Sequence, residues 1–214
     1  MKLSGQIIFF IKACAVFSVI SFIFSVLPWG FSLTGFIFSG DLSIIGNPLE
    51  SSSTSIEHVI GHILFGMFAG AISLSLRYVF LSGALSLLVD ADHILQFLDV
   101  EMISRMAHSI PFAIIVAVIM LYVFGKKDYR LAAISFSAII SHIAFDIWFG
   151  GQIYPGSFAE FPLFSPFTTE VFQFQGLDWL YLEILAIVIV GIIAVLNHKI
   201  SRKNQIEKTT KNGS

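Results

Sequence analysis

A chain of 214 residues with 56% hydrophobic and only 12% charged residues carries about half the charge of an ordinary soluble domain. Its single cysteine, Cys14, excludes an internal disulfide framework, and 23 Phe set among long uncharged runs exclude disorder, coiled coil and collagen. The class that remains is an integral membrane protein.

A spanning helix needs about 20 predominantly apolar residues. Six runs approach that length, at 8–28, 57–75, 78–97, 107–125, 131–149 and 179–197. The expected fold is therefore all-α, a polytopic transmembrane bundle of about six spans. The first run follows Lys2 and could be read as a signal peptide, but it is long and no A-x-A-like cleavage site follows; Trp29, Phe31 and Phe36 come next. The loop 29–56 ends in NPLESSSTS, a turn followed by a helix N-cap at Thr54 or Ser55. Only the short LSLRYV stretch around Arg77 separates the second run from the third.

The loop 150–178 has three Pro, many Phe and no basic residue. A segment that apolar is expected on the membrane surface or folded back as a lid. The tail HKISRKNQIEKTTKNGS reads as an anchor beside anionic lipids. It has too few charges and no interleaved aromatics, so no nucleic-acid partner is expected. The chain divides into an N-terminal span and loop (1–56), a core of four spans with the apolar loop (57–178), and a last span with its basic tail (179–214).

The positive-inside rule orients such a bundle. With the N-terminus in the cytoplasm, the cytoplasmic segments hold Lys2, Lys12, Arg77, Lys126, Lys127, Arg130, Lys199, Arg202, Lys203, Lys208 and Lys211, eleven of the twelve basic residues. Only Arg105 falls outside. An even number of spans, with both termini cytoplasmic, is the consistent topology.

Ionisable residues inside spans are costly and point to function by default. His58, His62, His93, His108 and His142 lie in or beside spans, accompanied by Asp90, Asp92 and Asp146. His58 and His62 are i, i+4, as are His142 and Asp146, and Asp90 and His93 are i, i+3; each pair shares one helix face. Alternating span direction brings all eight residues to one depth, near the extracytoplasmic face. Imidazole and carboxylate together suit zinc, manganese or iron better than calcium. Any one of these His, taken alone, also fits a plain helix–helix hydrogen bond. Glu183 lacks acidic or His company and is expected to pair with a backbone or Trp179 group; Lys12 should snorkel to the cytoplasmic surface, and His198 is interfacial.

Five stretches in order carry a resemblance: His62-Ile63-Leu64-Phe65-Gly66, Asp90-Ala91-Asp92-His93, Ala107-His108-Ser109, His142-Ile143-Ala144-Phe145-Asp146 and Pro162-Leu163-Phe164-Ser165-Pro166-Phe167. From 58 to 167 the chain resembles the inner-membrane metal-dependent hydrolases of bacteria and archaea, sometimes labelled LexA-binding. It is more loosely similar, through H-x-x-x-D, to zinc-dependent phospholipase C. It departs from the family at Val89, where Pro is usual, and at Ile103-Ser104-Arg105-Met106-Ala107-His108-Ser109. There the first His of H-R-G-x-T-H-S is missing and the Arg is displaced by one place.

The residues and the resemblance together imply a membrane-embedded, metal-dependent hydrolase of the inner membrane. Its divalent metal, zinc first and manganese second, would be held by His62, Asp90, His93, His142, Asp146 and His58. Asp92 or His108 would be general base or acid, and Arg105, otherwise an interfacial anchor, would steady a phosphate oxygen. The depth favours a lipid or lipid-linked phosphoester as substrate. The rivals are a divalent-metal or proton transporter built on the same residues, and a non-catalytic regulator stapled by a metal. A transporter requires polar residues to continue toward the cytoplasm, where AIIVAVIMLYVF and LAAISFSAII look almost wholly apolar.

Overall fold

Backbone N–H and C=O groups in an apolar surround must pair within their own segment, and the uncharged runs accordingly form helices. The computed structural model describes residues 3–26, 55–91, 106–125, 129–153, 158–165, 167–168 and 170–212. Among them six α-helices follow in order: α1 (Leu3–Val26), α2 (Ile56–Ala71), α3 (Leu76–Leu87), α4 (Ile110–Phe124), α5 (Tyr129–Ile153) and α6 (Asp178–Asn212). The all-α expectation holds, with one small addition. Strands β1 (Ala159–Phe161) and β2 (Phe172–Phe174) pair antiparallel in the apolar loop, Glu160 opposite Gln173.

Among the described residues three stretches are long and apolar enough to cross a membrane: Leu3–Phe24, Tyr129–Gly151 and Asp178–Ile200. The other runs give shorter helices, of 16 residues in α2, 12 in α3 and 15 in α4. The third run departs most from a regular 78–97 span, because α3 ends at Leu87 and the backbone tightens into a 3-10 turn over 88–91. Helix α6 continues well into the basic tail.

The centre of the bundle is α5, where 78% of the membrane-length stretch is buried, against 22% in α1 and 17% in α6. Its Ile134 and Ile139 share one core with Tyr78, Leu81 and Leu85 of α3, Phe112 and Met120 of α4 and Phe17 of α1. Ile7, Ile8 and Ile11 of α1 and Val188, Ile192 and Val195 of α6 face outward. Apolar surface on this scale suits a lipid surround rather than water.

Two glycines set the closest helix contact. A Cβ on Gly66 would stand 2.6 Å from the Ser82 carbonyl oxygen and 2.9 Å from Cα of Gly83. One on Gly83 would stand 2.8 Å from the Ile63 carbonyl oxygen. Without side chains at these points α2 and α3 lie backbone to backbone, the small-residue packing by which helices associate when no hydrophobic drive separates protein from lipid. The Gly of H-x-x-x-G thus holds the His62 face of α2 against the end of α3.

Candidate metal centre

Each element delivers its polar residues to one end of the bundle by an identifiable local device. Ser55 caps α2, its Oγ accepting from the His58 N–H at 3.2 Å, which bears out the expected cap and sets His58 and His62 in the first two turns. Ser109 caps α4 in the same way, accepting from the Phe112 N–H at 3.2 Å, with Pro111 in the first turn. His108 therefore sits immediately before the helix, on the 3-10 turn Met106–His108. The Ile110 N–H donates to the Leu163 carbonyl at 2.8 Å, tying the start of α4 to the β1–β2 segment. Asp90 rides on the 3-10 turn after α3, not on a regular helix, and that turn is held from α1 by Ser21 Oγ donating to the Val89 carbonyl at 2.7 Å.

Six of the residues singled out in the sequence meet there: His58, His62, Asp90, His108, His142 and Asp146. His58 and His62 bring their Nε2 atoms to 2.7 Å, and His108 and His142 bring theirs to 2.9 Å. Asp90 lies 3.8 and 3.5 Å from the first pair and 3.4 Å from each Nε2 of the second. Asp146 lies 3.6 and 3.3 Å from the first pair and 3.6 and 3.3 Å from the second. His62 and His142 are 0% exposed. Asp92, His93 and Arg105 lie outside the described residues.

The chemistry of these donors fits a metal ion. A carbonyl only accepts, so Nδ1 of His142, 2.8 Å from the Ser86 carbonyl oxygen, carries the hydrogen, and Nε2 is the ring atom turned toward the carboxylates. Ionised carboxylates are also acceptors only. At nitrogen–nitrogen distances of 2.7 and 2.9 Å, at least one Nε2 of each pair must likewise be bare of hydrogen. A cation among these nitrogens and carboxylate oxygens would satisfy all of them at once in an apolar bundle. The His–carboxylate separations of 3.3–3.8 Å exceed charge-assisted hydrogen bonds, at about 2.7–2.9 Å. They approach the ligand–ligand edges of about 2.9–3.4 Å that bonds near 2.0–2.1 Å produce. Among the described residues three overlapping triads bring one ligand atom each to within 4.8 Å of one another: His58, His62 and Asp146; His62, Asp90 and His142; His108, His142 and Asp146.

Several participants were invisible in the sequence. The Ser86 carbonyl, freed by the end of α3, orients His142 as the outer partner that a ligating imidazole needs. Phe145 and Phe149 stand edge-on to His58, with ring centroids at 5.4 and 5.0 Å. Phe161 of β1 is buried and stacks toward His108 at 5.9 Å. Glu57 is exposed and takes no part. Glu183 is buried beside Ser141 of α5, not paired with Trp179, and neither carboxylate oxygen has a hydrogen-bond partner among the described residues.

At the opposite end of α3, Arg77 donates to the Tyr78 hydroxyl at 2.7 Å and lies over the Phe9 ring at 4.6 Å. Arg130 lies over the Tyr78 ring at 5.1 Å. Two of the bases assigned to the cytoplasm thus share one end of the bundle, away from the carboxylates.

Neither the curated proteins nor the solved structures compared with this chain give a match. A family match covers residues 54–209, described as the YdjM inner membrane protein. It begins beside the α2 cap and runs most of the way along α6, with α1 ahead of it. A match over that share of the chain, spanning every residue of the cluster, carries the assignment: the chain belongs to the YdjM inner membrane protein family.

Proposed function

We propose that this inner membrane protein is a metal-dependent hydrolase of a phosphoester in a lipid or lipid-linked substrate. The observation that supports the reading is the convergence of four imidazoles and two carboxylates from α2, α4, α5 and the turn after α3 in a helical bundle. With six spans and both termini cytoplasmic, the cluster opens toward the extracytoplasmic side, at the level of lipid head groups. His58 and Asp146 lie within about 10 Å of their helix ends, at 1.5 Å per residue.

A divalent ion, zinc by the preference of the donor set, supplies an acidified water and polarises the phosphoryl oxygen. The chain's own groups do the rest. His58, His62, His142, Asp90 and Asp146 hold the ion; Ser86 keeps His142 in its ligating tautomer. His108 lies within the ligand cluster and serves as a ligand, which leaves Asp92 as the general base and Arg105 as the contact to the phosphate. Phe161 over His108 limits access of bulk water.

The test is turnover by the full chain reconstituted in vesicles of bacterial inner-membrane lipids. Loss of a phospholipid or lipid-linked phosphate species, read by mass spectrometry, should require added zinc or manganese and stop on chelation. A folded, metal-loaded chain that leaves every lipid species unchanged would overturn the hydrolase reading.

A transporter is favoured by one observation that the sequence had not led us to expect. Ser82, Ser86, Ser137 and Ser141 are buried in the bundle together with Glu183, so polar groups do accompany α3, α5 and α6. Metal flux into vesicles that depends on His62 and Asp90, without lipid turnover, would establish this second reading.

A further inference from the structure

We propose that the site binds two divalent cations, bridged by Asp90 and Asp146, so that it is built for a phosphate oxyanion. The inference rests on the metal-centre reading above and adds the number of ions, their ligands and the charge of the ligand they attract.

The carboxylate oxygens are partitioned. Asp90 Oδ2 and Asp146 Oδ1 face His58 and His62, at 3.8 and 3.5 Å and at 3.6 and 3.3 Å. Asp90 Oδ1 and Asp146 Oδ2 face His108 and His142, at 3.4 Å each and at 3.6 and 3.3 Å. Each carboxylate therefore presents one oxygen to each His pair. A single ion at the centre would draw all four imidazoles toward the same oxygens.

Ring orientation decides between the two. The imidazoles of His62 and His142 are stacked, with centroids 3.8 Å apart and planes 7° from parallel. An imidazole binds a cation in its own plane, along the nitrogen lone pair. No point lies in both of two stacked, nearly parallel planes, so His62 and His142 direct their lone pairs at different positions side by side. The ring spacing sets those positions close to the separation of about 3.5–4 Å typical of two-metal hydrolytic sites.

The ligand sets then follow. One ion takes His58, His62, Asp90 Oδ2 and Asp146 Oδ1; the other takes His108, His142, Asp90 Oδ1 and Asp146 Oδ2. Two divalent cations outweigh the two carboxylates, leaving net positive charge in an apolar surround. That charge favours an anion able to span both ions, and a phosphate group with its paired oxygens does so. A single ion would leave the site neutral and without that preference.

The experiment uses the full chain in detergent, purified without chelator and loaded with manganese. Metal content is measured by elemental mass spectrometry and the spin state by electron paramagnetic resonance. The expected result is two ions per chain with the hyperfine pattern of an exchange-coupled pair. In the His58→Ala/His62→Ala double variant, checked for folding by its elution volume and circular dichroism, content should fall to one ion and the coupling should vanish. Inorganic phosphate should perturb the coupled spectrum of the wild type and not the isolated-ion spectrum of the variant. One ion per chain, with an isolated-ion spectrum in the wild type, would overturn the two-ion inference alone. No retained ion in a folded chain would overturn the metal-centre reading beneath it.

Discussion

The two ends of α3 solve the same problem in opposite ways. At its start Arg77 is placed on aromatic faces, over Phe9 at 4.6 Å and Tyr78 at 4.5 Å, with Arg130 over the same tyrosine. Quadrupole attraction and the tyrosine hydroxyl help to hold this permanent charge at that end. Beyond its end Asp90 and Asp146 face the same four imidazoles, a donor set positioned to hold a cation. The first end seats its charge on aromatic rings; the second gathers groups positioned to bind a metal ion. That difference separates an anchored charge from charges gathered for an ion, in a chain where both are scarce.

The comparison is sharpened most by removing a shared ligand. Asp146→Ala takes one carboxylate from both His pairs; bound metal should fall to background, and turnover by at least about 10³-fold, since the ion supplies several kcal/mol of transition-state stabilisation. Elemental analysis and lipid mass spectrometry read the two effects separately.

Next is the contact that brings α2 to α3. Gly66→Val puts a side chain against the Ser82 carbonyl and the Ser86 Cβ. Overpacking of this kind costs about 1–3 kcal/mol. Tm in detergent should drop, and metal content should fall with it because His62 is carried away from Asp90.

The support from α1 is smaller. Ser21→Ala removes the donor to the Val89 carbonyl, leaving a buried acceptor unpaired at a cost of about 1–3 kcal/mol. The variant should retain its metal with weakened affinity in a chelator competition, because Val89 immediately precedes Asp90. Least of all, Arg77→Ala at the far end should cost about 0.5–1 kcal/mol, or about 2–4 °C in Tm for each kcal/mol, and leave metal content unchanged. Loss of metal from Arg77→Ala would erase the contrast between the ends.

Much of the site was legible because regular helices convert spacing into direction. His58 with His62, and His142 with Asp146, needed only the i, i+4 rule and the span order to be placed together. Asp90 was placed correctly for an incomplete reason, since it sits on a 3-10 turn whose onset after Leu87 leaves no trace in the apolar run. The Ser86 carbonyl was out of reach because a backbone acceptor has no residue type to betray it. Strands of three residues such as Ala159–Phe161 are too short to show an alternating period. Run length also overstated the helices: 78–97 reads as one span, but α3 itself occupies only Leu76–Leu87. Glu183 looked isolated in sequence because its neighbour, Ser141, comes from another helix.

The most direct test of the metal centre is X-ray absorption at the zinc edge on the full chain, purified without chelator and supplied with zinc. The expected result is a first shell of mixed nitrogen and oxygen at about 2.0–2.2 Å with outer-shell imidazole scattering, lost in His142→Ala. A shell of oxygen alone, without imidazole scattering and unchanged in that variant, would contradict it.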